Sequence, residues 1–467
     1  MAEKFRIEKD SLGEYQVPDA AWYGIQTARA VENFPISGRM PDTDFIIAHV
    51  RIKHAAAAAN RDAGWLPAKH AQAIIDAAET IINGDHLDQF VVDRFQAGAG
   101  TSHNMNSNEV IANLANMALG GSKGVYDPIN PNDHVNMGQS TNDTIPTAIR
   151  LTALTKLPRL LAAVRAMADE YARIAEREAD TIKSGRTHLQ DAVPTTVGRA
   201  FGAYAWTLRR CADRIEATRD PLCEIGLGGS AAGTGLNTAP GYIDGVAREL
   251  ATQTGEKIRP ATDLAAQMQS MTDIQNLSSA IRGLTLEVTR ISNDMRLLVS
   301  GPRTGLAEVI LTPVQPGSSI MPGKVNPVMW EMLNQTCYQV LGQDAAISQM
   351  VAAGQLELNV MMPAMGSALF DAMDWITNAI NAVVSKNLKT LEIDHERCRD
   401  YAHASVGLAT LLNTAIGYAK AAEVAKESEK TGRPVRELVA EQGLMKQEDF
   451  DKLVEHAARE GNITNPR

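Results

Sequence analysis

The chain has 467 residues, of which 44% are hydrophobic and only 5% aromatic, and its formal net charge is −10. This length favours two or three domains over one simple core. The acidic balance leaves no basic face for nucleic acid, and no cluster of lysine and arginine residues indicates a membrane surface. An anionic substrate would therefore need positive charge concentrated at its own site.

The spacing of cysteine and histidine residues argues against disulfides and metal sites. The four cysteines are widely spaced and form no CxxC pair. Because no signal peptide is recognisable at the N-terminus, we expect reduced thiols in a cytoplasmic protein. The ten histidines include neither an HExxH motif nor a paired metal spacing. No apolar run is long enough to cross a bilayer. We therefore predict no metal, no other cofactor and no membrane partner.

The first third of the chain is predicted to be irregular and then helical. Alanine and leucine runs dominate over strand-like alternation, which indicates a mainly α protein. Residues 6–33 are expected to be irregular, because aspartate, glycine and proline residues interrupt them. Helices are predicted over 44–64 and 67–83, each of which ends near a glycine or asparagine. The first domain is expected to close near Asn136.

The middle of the chain carries the strongest helical periodicity, because apolar residues recur there at intervals of three and four. One stripe comprises Leu157, Leu160, Leu161, Val164, Met167, Ala168, Tyr171 and Ile174, and another comprises Ile274, Leu277, Ile281, Leu284, Val288, Ile291, Met295 and Leu298. Further helices are predicted over 197–225, 329–351 and 365–388. Five helices of this length predict a bundle, and apolar surface beyond what one bundle can bury predicts other subunits.

The end of the chain is predicted to form a small helical domain. It covers 394–467, and Gly432–Pro434 is expected to break its helices. The sequence therefore predicts three domains, over 1–137, 138–393 and 394–467.

A loop over Gly317–Pro327 separates two of the long predicted helices. Its two glycines and two prolines exclude both a continuous helix and a central strand. The loop offers backbone N–H groups, two hydroxyls, one lysine and one amide, which suit a carboxylate that gains negative charge. A phosphate-binding loop is excluded, because the spacing from Gly317 to Gly323 is one residue too long and Val325 replaces the required Ser or Thr. A structural turn with a solvated lysine is the remaining alternative.

Five polar blocks carry a resemblance to a known family. They are Gly98–Asn106, Gln139–Asp143, Gly185–Asp191, Gly233–Asn237 and Gly317–Pro327. Together they resemble the signature blocks of the aspartase/fumarase superfamily, in the usual order. The last block matches its signature residue for residue, and the resemblance extends from about Arg6 to beyond Gly417.

This resemblance implies a fold and a reaction. The fold would be a three-domain, mainly α structure with a long central helical bundle. Four subunits would share a twenty-helix core, and the active sites of this homotetramer would be shared between subunits. The reaction would be reversible elimination from a small succinate-like dicarboxylate to give fumarate. Removing the proton places extra charge on the neighbouring carboxylate, so a dianionic aci-carboxylate must be stabilised by preorganised donors.

The resemblance also assigns expected roles to side chains of the later blocks. Ser318 is the expected general base, with loop N–H groups and a nearby lysine lowering its pKa; a loop-capping hydroxyl is the alternative. Ser319, Lys324 and Asn326 are expected to bind the substrate, the last two through its α-carboxylate. Thr187 and His188 are expected to bind it from another subunit, and His188 also has an expected catalytic role. Glu331 would support that histidine, or be an ordinary solvated glutamate.

The earlier blocks supply short polar side chains at junctions between irregular segments and helices. Four blocks, all except Gly233–Asn237, are expected to lie at such junctions, where free N–H groups and a partial positive charge favour carboxylates. The expected ligands of the β-carboxylate and the amino group are Thr101, Ser140, Thr141 and Asn142. An amide can accept from an ammonium group through oxygen and donate to a carboxylate through nitrogen, which makes Asn142 the most informative of them.

Few positions distinguish the members of the superfamily. Ala99, Thr141 and Val328 follow the pattern of its aspartases rather than its fumarases, so we expect ammonia to be eliminated from L-aspartate. Elimination of water from malate, by a class II fumarase, is the alternative. A non-catalytic structural homologue is the other alternative, although it would be free to lose the proposed catalytic groups. Four positions depart from the usual pattern and could alter substrate preference: His103, Gly138, Ile145 and Ser230.

Overall fold

The computed structural model describes residues 4–461 and confirms a mainly α protein. The helices up to residue 269 are α1 (Ile25–Asn33), α2 (Thr43–Asp62), α3 (Ala68–Ile82), α4 (Thr101–Ala118), α5 (Thr141–Arg177), α6 (Val197–Glu216), α7 (Arg219–Leu222), α8 (Tyr242–Thr254) and α9 (Leu264–Gln269). The later helices are α10 (Thr272–Leu298), α11 (Val328–Ala352), α12 (Met362–Lys386), α13 (His395–Ala404), α14 (Asn413–Ile416), α15 (Tyr418–Thr431), α16 (Val435–Glu441) and α17 (Gln447–Glu460). Within residues 4–461, no helix has the length and apolar character that a membrane crossing requires.

Within the described residues, eight short strands form four two-stranded sheets. They pair as β1 (Phe5–Asp10) with β2 (Gly13–Pro18), β3 (Ile182–Thr187) with β4 (Gln190–Thr196), β5 (Glu224–Ile225) with β6 (Arg259–Pro260), and β7 (Val309–Ile310) with β8 (Glu392–Ile393). Only the β5–β6 pair among them is parallel.

The two predicted apolar stripes are buried. All eight stripe residues of α5 are at most 1% exposed, and so are the first seven stripe residues of α10. Only Leu298, at the end of α10, is half-buried. The periodicity therefore identified both helices and the faces that they bury.

The described residues fall into two compact units. The first contains the residues up to Leu161, Asp213–Gly283 and Gln339–Trp375, and the second contains Ala162–Ala212, Leu284–Tyr338 and the residues from Ile376 onward. In the first unit, apolar side chains of α2, α3 and α4 form a continuous core. In the second, a separate core joins the segment after α13 to α15, α16 and α17. The three predicted domain boundaries stay a prediction.

The prediction that residues 6–33 are irregular was wrong. A hairpin pairs Phe5 with Pro18 and continues to Asp10 and Gly13, and α1 follows it. Polar contacts hold this hairpin: Arg6 pairs with Glu8 at 2.7 Å and donates to the Pro18 carbonyl at 2.9 Å. Apolar residues alternate with polar ones along β1, but Phe5 and Ile7 are exposed whereas Glu8 is buried, so the alternation does not follow the usual pattern of apolar residues facing a core.

The helix predicted over 197–225 ends earlier, at Glu216. Arg219 pairs with Glu216 at 2.7 Å and with Glu256 at 2.6 Å, and this pairing holds the chain as it leaves the helix. The predicted break at 432–434 is confirmed, because α15 ends at Thr431 and Gly432 adopts a left-handed φ of 69°.

Candidate active site

Thr101 and Ser140–Asn142 lie at the starts of two helices that pack against each other in the first unit. Thr101 is the first residue of α4, and Thr141 is the first residue of α5. Gly100 precedes α4 with a φ of 85°, and a Cβ built on it would lie only 2.9 Å from Cγ1 of Ile145. This close approach brings together two helix N-termini, where a partial positive charge is expected.

The Ser140–Asn142 segment is held by side-chain hydrogen bonds. Ser140 Oγ accepts from the Asn142 N–H at 3.2 Å. Asn142 Nδ2 donates to the Ala231 carbonyl oxygen at 2.9 Å. Because a carbonyl oxygen only accepts, this bond fixes which branch of the Asn142 amide carries nitrogen. The amide oxygen is therefore the branch that remains available to a ligand.

A buried lysine that the sequence analysis did not single out lies behind these helix starts. Lys53 of α2 is fully buried and donates to Asn104 Oδ1 at 2.7 Å, Gln139 Oε1 at 2.9 Å and Asn136 Oδ1 at 3.1 Å. Burial lowers the pKa of Lys53 to about 7, although the charge of Asp143 opposes this effect. The sequence could have revealed this lysine, because it is the one lysine of an alanine-rich helix, and a charged residue buried in such a helix needs polar partners.

His188 lies at the tip of the β3–β4 hairpin in the second unit. Thr187 pairs with Gln190, so His188 and Leu189 are the two central turn residues, with φ of 55° and 60°. Two positive φ values define the tight turn that matches strand twist, a conformation that non-glycine residues adopt at a cost. The junction prediction was therefore wrong for this block, since a strand pair and not a helix start presents the histidine.

The base of this hairpin is fixed by a buried carboxylate. Glu308 is 1% exposed and pairs with Arg186 at 2.8 Å and Lys183 at 2.9 Å. The Arg186 guanidinium also lies 5.2 Å from the centre of the Tyr401 ring, within the range of a cation–π contact. These contacts engage Arg186 in holding the turn that carries His188.

The loop over Gly317–Pro327 is closed by its own polar side chains. Ser318 Oγ accepts from the N–H groups of Ile320 and Met321 at 3.2 Å and 3.1 Å. A Cβ at Gly317 would lie 1.7 Å from the Lys324 carbonyl oxygen, so only glycine fits there. Two donors converge on a half-buried serine hydroxyl, an arrangement that favours its anionic form.

The proposed substrate ligands of this loop differ in exposure. Ser319 and Lys324 are exposed, whereas Asn326 is half-buried and donates to the Gly317 carbonyl oxygen at 2.6 Å. Glu331 lies in the first turn of α11, where its N–H donates to the Pro327 carbonyl oxygen at 3.1 Å. The shared pocket that the resemblance implies, with residues from several subunits, stays a prediction.

The four departures from the family pattern are all in the first unit. His103 is buried and its ring centre lies 4.7 Å from that of Phe45, and Ile145 packs against Gly100. Gly138 has a φ of 71°, a conformation that glycine tolerates. Ser230 has a φ of 60° without that tolerance, and its N–H donates to Asp143. His103, Ile145 and Ser230 therefore lie at or contact the helix starts, and an effect of the four departures on substrate preference stays a prediction.

The four cysteines are free and buried. Burial raises the pKa of Cys337 to about 11 and that of Cys398 to about 12. Thiols with raised pKa values are poor nucleophiles at neutral pH. Across the described part of the chain, no group of three or more histidine, cysteine, aspartate or glutamate side chains could hold a metal ion.

Comparison with known proteins identifies the family. A family profile described as Lyase matches residues 13–342, and one described as Fumarase C C-terminus matches 408–458. An aspartate ammonia-lyase from Bacillus sp is 44% identical to this chain, and the alignment covers 96% of each protein. An aspartate ammonia-lyase from Pseudomonas aeruginosa is 45% identical, and the alignment covers 94% of each protein. The crystal structure of a class II fumarase from Schistosoma mansoni superposes with a TM-score of 0.94 at 33% identity, over 98% of this chain and 100% of that one. The chain therefore belongs to the aspartase/fumarase superfamily and is a lyase.

Proposed function

We propose that the chain catalyses the reversible elimination of ammonia from L-aspartate to give fumarate. The observation that carries this proposal is its similarity over nearly its whole length to enzymes named aspartate ammonia-lyase. The chain also retains Ser318, Lys324 and His188, which an inactive homologue would be free to lose. In its Gly317–Pro327 loop, two backbone N–H groups donate to Ser318 Oγ, which supports a role for this serine in removing a proton.

In the proposed mechanism, Ser318 removes a proton from the β-carbon of aspartate. The electron pair of the broken C–H bond moves onto the adjacent carboxylate and forms the aci-carboxylate. That charge then returns to form the carbon–carbon double bond, and ammonia leaves with the electron pair of the C–N bond. The N–H groups that donate to Ser318 Oγ stabilise its deprotonated form, which makes a serine usable as a base.

The other polar residues named in the proposal have complementary roles. The exposed ammonium group of Lys324 binds a substrate carboxylate, with Ser319 and Asn326 as further donors. Thr101 and Ser140–Asn142 bind the other carboxylate and the amino group at the two helix starts. His188, with Thr187 beside it, contacts the substrate at the leaving group. Glu331 supports the histidine.

A class II fumarase activity, which converts malate to fumarate and water, is the second candidate. The observation in its favour is the close superposition on the Schistosoma mansoni fumarase. Both candidates use the same proton removal and the same dicarboxylate site, so the leaving group distinguishes them.

We also propose that the chain acts as a homotetramer in the cytoplasm, with active sites shared between subunits. Large apolar side chains are exposed along the helices of the second unit, including Trp206 at 63%, Leu286 at 53% and Tyr338 at 54%. Exposed apolar side chains in this number indicate a protein interface. Light scattering after size-exclusion chromatography tests this proposal. A mass near four times 50.4 kDa supports it, and a monomer contradicts it.

The activity is tested by supplying L-aspartate and L-malate separately to the purified protein. Fumarate is followed by its ultraviolet absorbance, and ammonia by a coupled assay. Fumarate and ammonia from aspartate alone support the proposal. Fumarate from malate alone supports the fumarase alternative. No product from either, with a folded tetramer, supports a structural role.

A further inference from the structure

Asp143 joins the start of α5 to a distant loop. It is fully buried, and its Oδ1 accepts from the Ser140 N–H at 3.0 Å. Its Oδ2 accepts from the N–H groups of Gly228 and Ser230 at 3.1 Å and 2.9 Å. One carboxylate therefore fixes the Ser140 backbone and the 228–231 loop together.

This loop has a strained and tightly confined backbone. Ser230 adopts a φ of 60°, which is unfavourable for a residue with a Cβ. A Cβ at Gly228 would lie 2.6 Å from Cγ1 of Ile243, and just after the loop a Cβ at Gly233 would lie 2.4 Å from the Ala265 backbone. The loop can follow this path only if other contacts compensate for the strain. The two hydrogen bonds to Asp143 are suited to do so.

The path of the loop places the Ala231 carbonyl oxygen against Asn142. That oxygen accepts from Asn142 Nδ2 at 2.9 Å. The orientation of the amide therefore depends on a backbone group whose position Asp143 determines. A rotation of the amide by half a turn would set two oxygens against each other, so the opposite orientation is disfavoured.

The positive charge of Lys53 partly compensates for the burial of the Asp143 carboxylate. Burial raises the pKa of Asp143 to about 7, and its three backbone N–H donors and the charge of Lys53 act in the opposite direction. Lys53 itself is held by three amide oxygens, as described above. Burying an isolated carboxylate would cost free energy, and the three N–H donors and the charge of Lys53 offset this cost for Asp143.

We propose that Asp143 is a positioning residue that, through the 228–231 loop, holds the Asn142 amide with its oxygen presented to the substrate ammonium group. This inference rests on the proposed function for the identity of the substrate. A fixed acceptor stabilises an ammonium group, which carries charge and only donates. It gives no stabilisation to a leaving hydroxide, which needs a donor. The arrangement therefore favours an amine over a hydroxyl group at this position.

The test measures binding with turnover removed. In a Ser318→Ala background, the dissociation constants of L-aspartate and of succinate, which lacks the amino group, are measured by calorimetry. The Asp143→Asn variant keeps the side-chain volume but loses at least one of the acceptor contacts. We expect it to weaken aspartate binding by about 10- to 100-fold, in line with the loss of a charge-assisted hydrogen bond, and succinate binding by less than about 3-fold.

Two further variants keep the test decisive. Gly228→Ala leaves Asp143 in place but forces the loop away from Ile243, so we expect the same selective loss of aspartate binding even if Asp143→Asn does not fold. Glu109→Gln is the matched control, because Glu109 is also a buried carboxylate that caps a helix start, with bonds to Gly24 and Thr27. We expect it to leave the ratio of the two constants unchanged.

Equal weakening of aspartate and succinate binding, in Asp143→Asn and in Gly228→Ala, would overturn the positioning role. The proposed function is judged separately, by turnover of aspartate in the protein that retains Ser318. An inactive protein that still shows selective loss of aspartate binding would contradict the function and keep the inference.

Discussion

The Asn326 side chain donates to the Gly317 carbonyl oxygen at 2.6 Å and so closes a ten-residue loop at its two ends. Between these ends, the same loop carries the hydroxyl of Ser318 with its two N–H donors. The amide thus holds the segment that carries the proposed base. A second role in binding the substrate carboxylate is compatible with the other N–H of the same amide.

Removing this closure should lower activity more than stability. We expect Asn326→Ala to reduce kcat by about 100-fold, because the donors to Ser318 lose their alignment. The free energy of unfolding should fall by only about 1 kcal/mol, the value of one such hydrogen bond. Asn387→Ala is the matched control, since Asn387 donates to the Lys386 carbonyl at 3.0 Å outside the loop. Equal kinetic effects of the two substitutions would argue against the closure role.

The two glycines of the loop should respond differently to the same substitution. Gly317→Ala places a methyl group 1.7 Å from the Lys324 carbonyl oxygen, whereas a Cβ at Gly323 meets nothing within 4 Å. Because Gly323 has a φ of 81°, alanine there costs only backbone strain of about 1 kcal/mol. We therefore expect a loss of kcat/KM of about 100-fold or more for Gly317→Ala, since the loop that aligns the base must open, and of a few-fold for Gly323→Ala. Similar rates for both variants would contradict this reading of the loop.

The hairpin turn permits a paired test of His188. Both central turn residues have a positive φ, so glycine fits either position. We expect Leu189→Gly to retain kcat/KM within a few-fold, because the exposed Leu189 side chain has no proposed role. His188→Gly should preserve the same turn yet lower kcat/KM by about 100-fold, as expected for the loss of a catalytic imidazole. Equal activities in steady-state assays would exclude a catalytic role for His188.

Acid sensitivity should depend on His103. Burial, with a contribution from the Lys53 charge, lowers the pKa of His103 to about 3 from an ordinary value of 6.5. A histidine with a lowered pKa in the folded state contributes stability above pH 6.5 and loses it as the pH falls through the folded value. Relative to His103→Gln, the protein should therefore lose about 1.4 kcal/mol per pH unit below pH 6.5. Urea unfolding between pH 4 and pH 8 measures this difference, and parallel curves for the two proteins would contradict it.

The sequence predicted the helices well because their stripes follow one physical rule. Leu157 and Ile274 begin stripes whose burial the structure confirms, since a helical period of apolar residues has few alternatives. The Gly317–Pro327 loop was also located, because glycine and proline spacing is a local signal. The β1–β2 hairpin was missed, because its aspartate, glycine and proline residues indicated an irregular segment and its alternating Phe5 and Ile7 are exposed rather than part of a core.

Within the candidate site, the sequence predicted which residues lie at helix starts better than it predicted the turns and hydrogen bonds that hold them in place. Thr101 and Ser140 lie at helix starts as expected, but the hairpin that carries His188 depends on two left-handed residues that no local pattern announced. The contacts of Asp143 with Gly228 and Ser230 span more than eighty positions along the chain. Such long-range support is set by tertiary packing, which one sequence does not display.

The most direct test of the account is a comparison of the unaltered protein with Ser318→Ala on L-aspartate. We predict fumarate and ammonia in equal amounts from the unaltered protein. We predict a loss of kcat of about 100-fold or more in the variant, as expected when a general base is removed, with the thermal transition unchanged. Full activity in Ser318→Ala would contradict the proposed base. Fumarate from L-malate and none from L-aspartate would contradict the proposed reaction.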